Sequence, residues 1–311
     1  MPDVNSTFFI TLLIISIGFI LKKINILKEE YGIIISKLIF NITLPATILK
    51  FTSSVDIENS YILLPIISII FSSFMAIIGL FIFRRYFRSL KGALIITMVG
   101  FNVANFSFPL IEGIWGAEGM PYIALIDAGN AFSIFVLCYI LGSIYSTKNQ
   151  VQNKKVKFKY IIGQLIRSPP LVCYAIALII NFSGLTFPVL LNSLIDILSR
   201  ANSALVLLLL GIFLSFKFEK QQWINISKVL IIRYSFGLIV GILIFMLLPE
   251  EQFSYLFRII IMLSLVLPVG FAVIPFSIEF DYDQKLIAML VNLSIIISFF
   301  LLWILLLFIN G

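Results

Sequence analysis

The sequence predicts an all-α polytopic membrane protein of ten transmembrane helices arranged as two inverted five-helix repeats. Three observations predict it. Of 311 residues, 61% are hydrophobic and only 12% charged, with a mean hydropathy of +1.12; soluble domains carry about 25% charged residues. Ten apolar runs each approach the roughly 20 residues needed to span hydrocarbon. The loops between those runs alternate in charge.

The runs cover residues 7–21, 33–51, 61–83, 92–114, 120–145, 161–182, 188–216, 224–248, 253–274 and 286–309. The first has a polar, acidic lead-in (Asp3, Asn5) and Lys22 and Lys23 behind it, the reverse of a secretory leader, so it is expected to stay as the first span. The second holds Asn41 and Pro45 in FNITLPATILKF, a kinked helix with one polar face whose Lys37 snorkels to the inner surface. In the fourth, the stretch 100–110 (GFNVANFSFPL) places two asparagines, a serine and a proline inside an apolar run. A backbone in hydrocarbon must satisfy its own hydrogen bonds, so such a break belongs where protein or a water-filled cavity covers it. The ninth run contains LSLVLPVGFAVIP, where Pro268, Gly270 and Pro275 interrupt the helix pattern.

Orientation follows from the loops. After the first, third, fifth and seventh runs they carry Lys22, Lys23 and Lys28; Arg84, Arg85, Arg88 and Lys91; Lys148, Lys154, Lys155, Lys157 and Lys159; and Lys217 and Lys220. The loops after the second, fourth, sixth and eighth runs carry no Lys or Arg and hold Asp56, Glu58, Glu118, Glu250 and Glu251. Lys and Arg stay cytoplasmic, which puts the odd-numbered loops inside, both termini outside and the chain in the cell membrane. The loop after the ninth run dissents with Glu279, Asp281 and Asp283, but acidic residues weigh little in this rule. The basic linker, residues 146–160, separates a first five-helix half (1–145) from a second (161–311). An odd number of spans per half makes the second half enter from the opposite side, as in inverted-repeat folds. Proline in each fourth span (Pro109; Pro268 and Pro275) and asparagine in each fifth (Asn130; Asn292) supply weak internal symmetry.

Four groups of residues can carry chemistry. Pro109 lacks an N–H and clashes with the preceding turn, which frees carbonyls near Asn105; Asn102 and Asn105 offer donors and acceptors. One reading is a kinked helix glued to its neighbours by asparagine. The functional reading is a discontinuous helix whose half-helix N-terminus faces an anion, with Pro268 and Gly270 opposing it from the ninth span near the midplane. Asp127 and Asn130, three residues apart, share a helix face; an intramembrane carboxylate is a functional candidate, here a proton or sodium site. Asp196 and Arg200 have the i, i+4 spacing of an intrahelical ion pair, structural or gating. Arg258 has no close partner in sequence and is expected to snorkel outward.

These residues resemble the auxin efflux carrier family, the PIN-like membrane transporters. The resemblance rests on FNITLPATILKF, GFNVANFSFPLIEGIWGAEG, the Asp127 and Asn130 pair, ANSALVLLLLGIFLS and LPVGFAVIPFSIEFDYD, and spans nearly the whole chain. It implies a fold similar to bile-acid sodium symporters and sodium/proton antiporters. Helices 1, 2, 6 and 7 would form a scaffold and a homodimer contact, and helices 3–5 and 8–10 a moving transport domain in which broken fourth and ninth helices cross. By position, Asn105 and Pro109 sit at one crossing, Pro268 at the other, and Asn41 and Pro45 on the scaffold wall. The substrates implied are small organic anions, dicarboxylates or auxin-like carboxylates. The short linker points to a microbial member.

Other functions fit less well. Nucleic acid is not an expected partner despite the net charge of +7, because most basic residues lie in short loops between spans. With no histidine and both cysteines (Cys138, Cys173) inside apolar runs, the usual Cys/His metal-ligand spacings are absent, no resident cofactor or metal is expected, and coupling falls to H+ or Na+ at carboxylates. No Walker A motif appears, so direct ATP coupling within this chain is unsupported. An intramembrane aspartyl protease needs two carboxylates sharing a proton, and Asp196 has its arginine; no enzyme activity is expected. A channel would need a filter motif or charged ring, and a membrane sensor a signalling domain; neither is seen. A sodium- or proton-coupled solute symporter of the bile-acid type is the alternative transporter reading.

Overall fold

The computed structural model describes residues 4–53, 59–148, 158–215 and 222–310. Asp56, Glu58, Lys154, Lys155, Lys157, Lys217 and Lys220, part of the charge pattern above, fall outside them. Among the described residues all regular structure is helical. In chain order the helices are α1 Val4–Lys23, α2 Glu29–Leu38, α3 Leu44–Ser53, α4 Leu63–Ile82, α5 Arg88–Met98, α6 Phe108–Phe132 and α7 Tyr139–Tyr145. After the linker come α8 Phe158–Arg167, α9 Pro169–Phe182, α10 Val189–Phe213, α11 Trp223–Leu247, α12 Tyr255–Ser264, α13 Val273–Glu279 and α14 Gln284–Asn310. Among the described residues, seven continuous stretches are long and apolar enough to cross a membrane: Val4–Lys23, Glu29–Ser53, Ser60–Ile82, Val103–Tyr145, Val189–Phe213, Trp223–Leu247 and Gln284–Ile309. Pro169–Phe182 and Tyr255–Ser264 are apolar but shorter.

Proline shapes several of these helices without breaking them. Pro45 and Pro109 each follow an asparagine by four residues, and a proline cannot donate to the carbonyl four residues back. In both places the chain widens into a π turn just ahead of the proline, Ile39–Thr43 and Val103–Ser107. In the first of these the Leu44 N–H reaches back five residues to the Ile39 carbonyl. The helix is lost at residues 99–102, between α5 and the π turn and overlapping the expected stretch 100–110, and resumes at Val103. Pro109 is the seventh residue of that half-helix, and the wider π turn ahead of it takes up the backbone bond a proline cannot make.

Glycine makes the next reversal. Gly116, inside α6, has φ 58° and ψ −142°, a conformation open essentially to glycine alone. The chain folds back there, since Ala104 and Asp127 line one cavity, whereas a straight helix would hold those residues about 35 Å apart at 1.5 Å per residue.

Lipid offers little hydrophobic drive for helix association, so close backbone approach and polar contacts set the packing. α1 lies along α10, and Gly18 and Gly211 meet so closely that a Cβ on either would press on the opposing backbone. α3 packs on α9 and α10, α4 on α5 and α6, α5 on α7, α11 on α12, and α13 on α14. Thr43 Oγ1 donates to Asn202 Oδ1 over 2.9 Å, fully buried, tying the first π turn to α10. The ninth run is interrupted at residues 265–272, between α12 and α13.

Candidate functional site

A break inside a packed membrane protein leaves backbone groups that must find partners. Gly100, at φ 75°, turns the chain out of α5. The amide of Asn130 then pairs with both backbone groups of Phe101, accepting from its N–H at 2.7 Å and donating to its carbonyl at 2.9 Å. The Asn102 N–H donates to the Pro268 carbonyl at 2.9 Å, so the two breaks are bonded directly to each other. Pro268, and not Pro275, stands at this contact; Pro275 lies in the first turn of α13. Gly270 faces the Phe101 carbonyl closely enough that a Cβ would sit 3.1 Å from it. On the second break Ser294 accepts from the Val269 N–H at 3.0 Å and Ser298 donates to the Val266 carbonyl at 2.8 Å.

The residue that serves both breaks was not among the expected ones. Arg233, in α11, has no solvent exposure. Its guanidinium donates to the carbonyls of Met98 (2.9 Å), Gly100 (2.6 Å), Thr97 (3.4 Å), Leu267 (3.3 Å) and Pro268 (3.3 Å) and lies 4.4 Å from the centre of the Phe101 ring. A lone arginine near the middle of the apolar run 224–248 was the signal, since an intramembrane charge is costly and marks function. Counting basic residues only in loops hides it.

Beside the crossing lies a cavity of about 350 Å³. Asn102, Val103, Ala104 and Asn105 line it from the start of one half-helix, and Phe271, Ala272 and Pro275 from the start of the other; Ser36, Phe40, Leu44, Ile134, Phe135 and Phe276 give it a largely apolar and aromatic wall. The Asn102 Nδ2 is buried with no hydrogen-bond partner among the described residues. Asp127 and Asn130 complete the lining. Two donors hold the Asp127 carboxylate, the Tyr174 hydroxyl at 2.9 Å and the Asn130 amide at 3.3 Å, and the Ala104 backbone lies beside it. Tyr174 comes from α9, so this contact joins separate parts of the helix packing, and no sequence spacing announces it.

The remaining expected residues lie elsewhere. Asn41 is exposed and its amide returns to the Lys37 carbonyl at 2.7 Å; Pro45 and Pro109 are buried but do not line the cavity. Asp196 bonds Arg200 at 2.5 Å and also Lys50 at 2.8 Å, on a part-exposed surface away from the crossing. Arg258 reaches toward the loop at the end of α11: its own side chain is only 8% exposed, but it pairs at 2.9 Å with Glu250, which is 82% exposed. Asn292, the expected counterpart of Asn130, accepts from the Ser215 N–H, and Ser294 serves the second break in its place.

Known proteins resemble this chain over nearly its whole length. An uncharacterized transporter of Methanocaldococcus jannaschii is 25% identical over 298 residues, covering 90% of each chain. An uncharacterized transporter of Methanothermobacter thermautotrophicus is 24% identical over 293 residues, covering 92% of each. A family model described as membrane transport protein matches residues 4–306. The chain belongs to that family, the auxin efflux carrier-like membrane transporters its motifs resemble.

Proposed function

We propose that this membrane transporter is a secondary carrier of a small organic anion, working by alternating access with elevator-like movement. One observation carries the reading: the starts of two half-helices, at Val103 and Val273, line one cavity that also holds the unpartnered Asn102 amide. A half-helix start presents a positive dipole end to an anion; at the second one the Val273 and Ile274 N–H groups already donate to the Gly270 and Phe271 carbonyls and Pro275 has none, so the direct donor on offer is the Asn102 side-chain amide. The phenylalanine-rich wall suits a carboxylate on an apolar or aromatic body.

In this reading the chain has ten spans in two inverted five-helix repeats. α5 and the half-helix from Val103 to Gly116 make the fourth span and the rest of the run to Tyr145 the fifth, and the segments α2–α3, α8–α9 and α12–α13 count as one each. Helices α1, α2–α3 and α8–α10 are the scaffold, whose exposed apolar faces suit a homodimer contact as well as lipid; α4–α7 and α11–α14 move. Ser36 lies toward the end of its span that meets the basic loop at Lys22, Lys23 and Lys28, and Phe276 toward the odd-numbered loop after the ninth run, which supports an arrangement open to the cytoplasm.

Asp127 and Asn130 are the coupling candidates. Every group around the Asp127 carboxylate is a donor, which favours a proton over sodium, because a metal ion would need those donors replaced by oxygens. Proteoliposomes given labelled malate, malonate or an indole carboxylate test the reading. Uptake is expected for at least one, with Asn105→Ala abolishing flux while thermal unfolding stays near wild type. Wild-type flux in Asn105→Ala removes that residue from the site.

A further inference from the structure

Arg233 takes its hydrogen bonds in an unusual way for a buried cation: each acceptor it reaches is a backbone carbonyl, and it takes part in none of the ion pairs among the described residues. The carbonyls lie at the C-terminal ends of α5 and of the turns extending α12, where a helix carries roughly half a negative charge. Two such ends balance one guanidinium. Unwound carbonyls and half-helix C-termini at the midplane are also the groups with which broken-helix transporters coordinate Na+.

We propose that Arg233 is the resident cation of the crossing. Its guanidinium fills the carbonyl cage that would otherwise draw in a monovalent cation, so the two broken helices assemble without Na+ or K+. Arginine suits the position. It stays charged when buried, and its planar fork spreads donors over both breaks; the Phe101 ring closes one face of the plane. Lysine would bring the charge with fewer donors, and a neutral side chain would leave the carbonyls of both breaks without a counter-charge. Arg233 is thus a positioning residue that acts through the backbone of Gly100 and Pro268. The inference concerns how the crossing is held together and stands whether or not the cavity takes an organic anion; its readout is stability and not flux, so the two can fail separately.

The test is thermal unfolding of the purified wild type, Arg233→Lys and Arg233→Met in NaCl, KCl and choline chloride at equal ionic strength, choline being too large for the cage. Wild type is expected to unfold at the same temperature in all three salts. Arg233→Met should unfold about 5 °C or more below wild type in choline and recover part of that loss in Na+ or K+, whereas Arg233→Lys should lie closer to wild type with little salt preference. Selective stabilisation of the wild type by Na+ or K+ overturns the proposal. So does an Arg233→Met protein that matches Arg233→Lys in every salt, since the guanidinium would then act only by packing. If Arg233→Met does not fold, Arg233→Lys decides: indifference to the cation supports a charge requirement, and a lysine protein that needs Na+ overturns it.

Discussion

Replacing Asn130 by leucine keeps the side-chain size and removes the pairing that holds the first break. The Phe101 N–H and carbonyl then lose their partners at 2.7 and 2.9 Å, in a residue only 2% exposed. Each buried backbone group left unpaired costs about 1–3 kcal/mol. The adjacent cavity of about 350 Å³ can supply water to these groups, which sets the sum at the lower end, about 2–3 kcal/mol. For a chain of 311 residues that corresponds to a fall of about 3–5 °C in unfolding temperature. Reaction of the buried Cys138 with a thiol dye during heating measures it, with Asn292→Leu as comparison because its contact is to Ser215 and not to a break. Asn130→Leu should lose more stability than Asn292→Leu, and should weaken any substrate-induced stabilisation as well. An Asn130→Leu protein that unfolds with the wild type would refute the accounting, since the break would then not depend on this amide.

Other substitutions separate the remaining claims. Gly116→Ala adds a Cβ with nothing within 4 Å at φ 58°, so its cost is conformational alone, about 1–3 kcal/mol; Gly163→Ala, equally unobstructed but in an ordinary helix, should stabilise by about 0.5–1 kcal/mol, and both are read by thermal unfolding. Tyr174→Phe removes a hydroxyl bonded to a carboxylate, worth about 1.5–3 kcal/mol, and under the elevator reading it should change the maximal transport rate more than the substrate concentration giving half of it. Asp127→Asn should flatten the pH dependence of uptake if Asp127 carries the coupled proton, and an unchanged pH profile in proteoliposomes would move the coupling elsewhere. Asp196→Asn, away from the crossing, is expected to leave substrate-induced stabilisation unchanged.

Hydropathy and loop charge made the membrane class readable because the bilayer imposes one requirement on every span, a long apolar run. The polar and proline-rich patches pointed to the right stretches of the fourth and ninth runs, since few other places tolerate such residues. The first break falls at the start of the expected stretch 100–110, but what makes it was not readable, because Pro109 is conspicuous in a sequence while the backbone angle of Gly100 is invisible in it; Pro109 stays within the half-helix, behind a π turn. Asp127 and Asn130 were readable as a pair from their spacing. Their partners Phe101, Ala104 and Tyr174 come from distant segments, and pattern within one helix carries no information about them. Ser294 and Ser298 were passed over because serine in an apolar helix most often bonds its own preceding turn, as Ser133 does with the Gly129 carbonyl.

The bond from Arg233 to Gly100 joins residues 133 positions apart. A chain made at about 5–20 residues per second carries the first break for roughly 7–27 s before its arginine has been synthesised, and longer before Ser294 and Ser298 close the second. The amino-terminal half is thus born incomplete, with polar backbone that only late-arriving helices can cover. Biogenesis of this protein accordingly rewards whatever shelters an unfinished first half in the membrane, and a chain that stops short of α11 leaves that half permanently open.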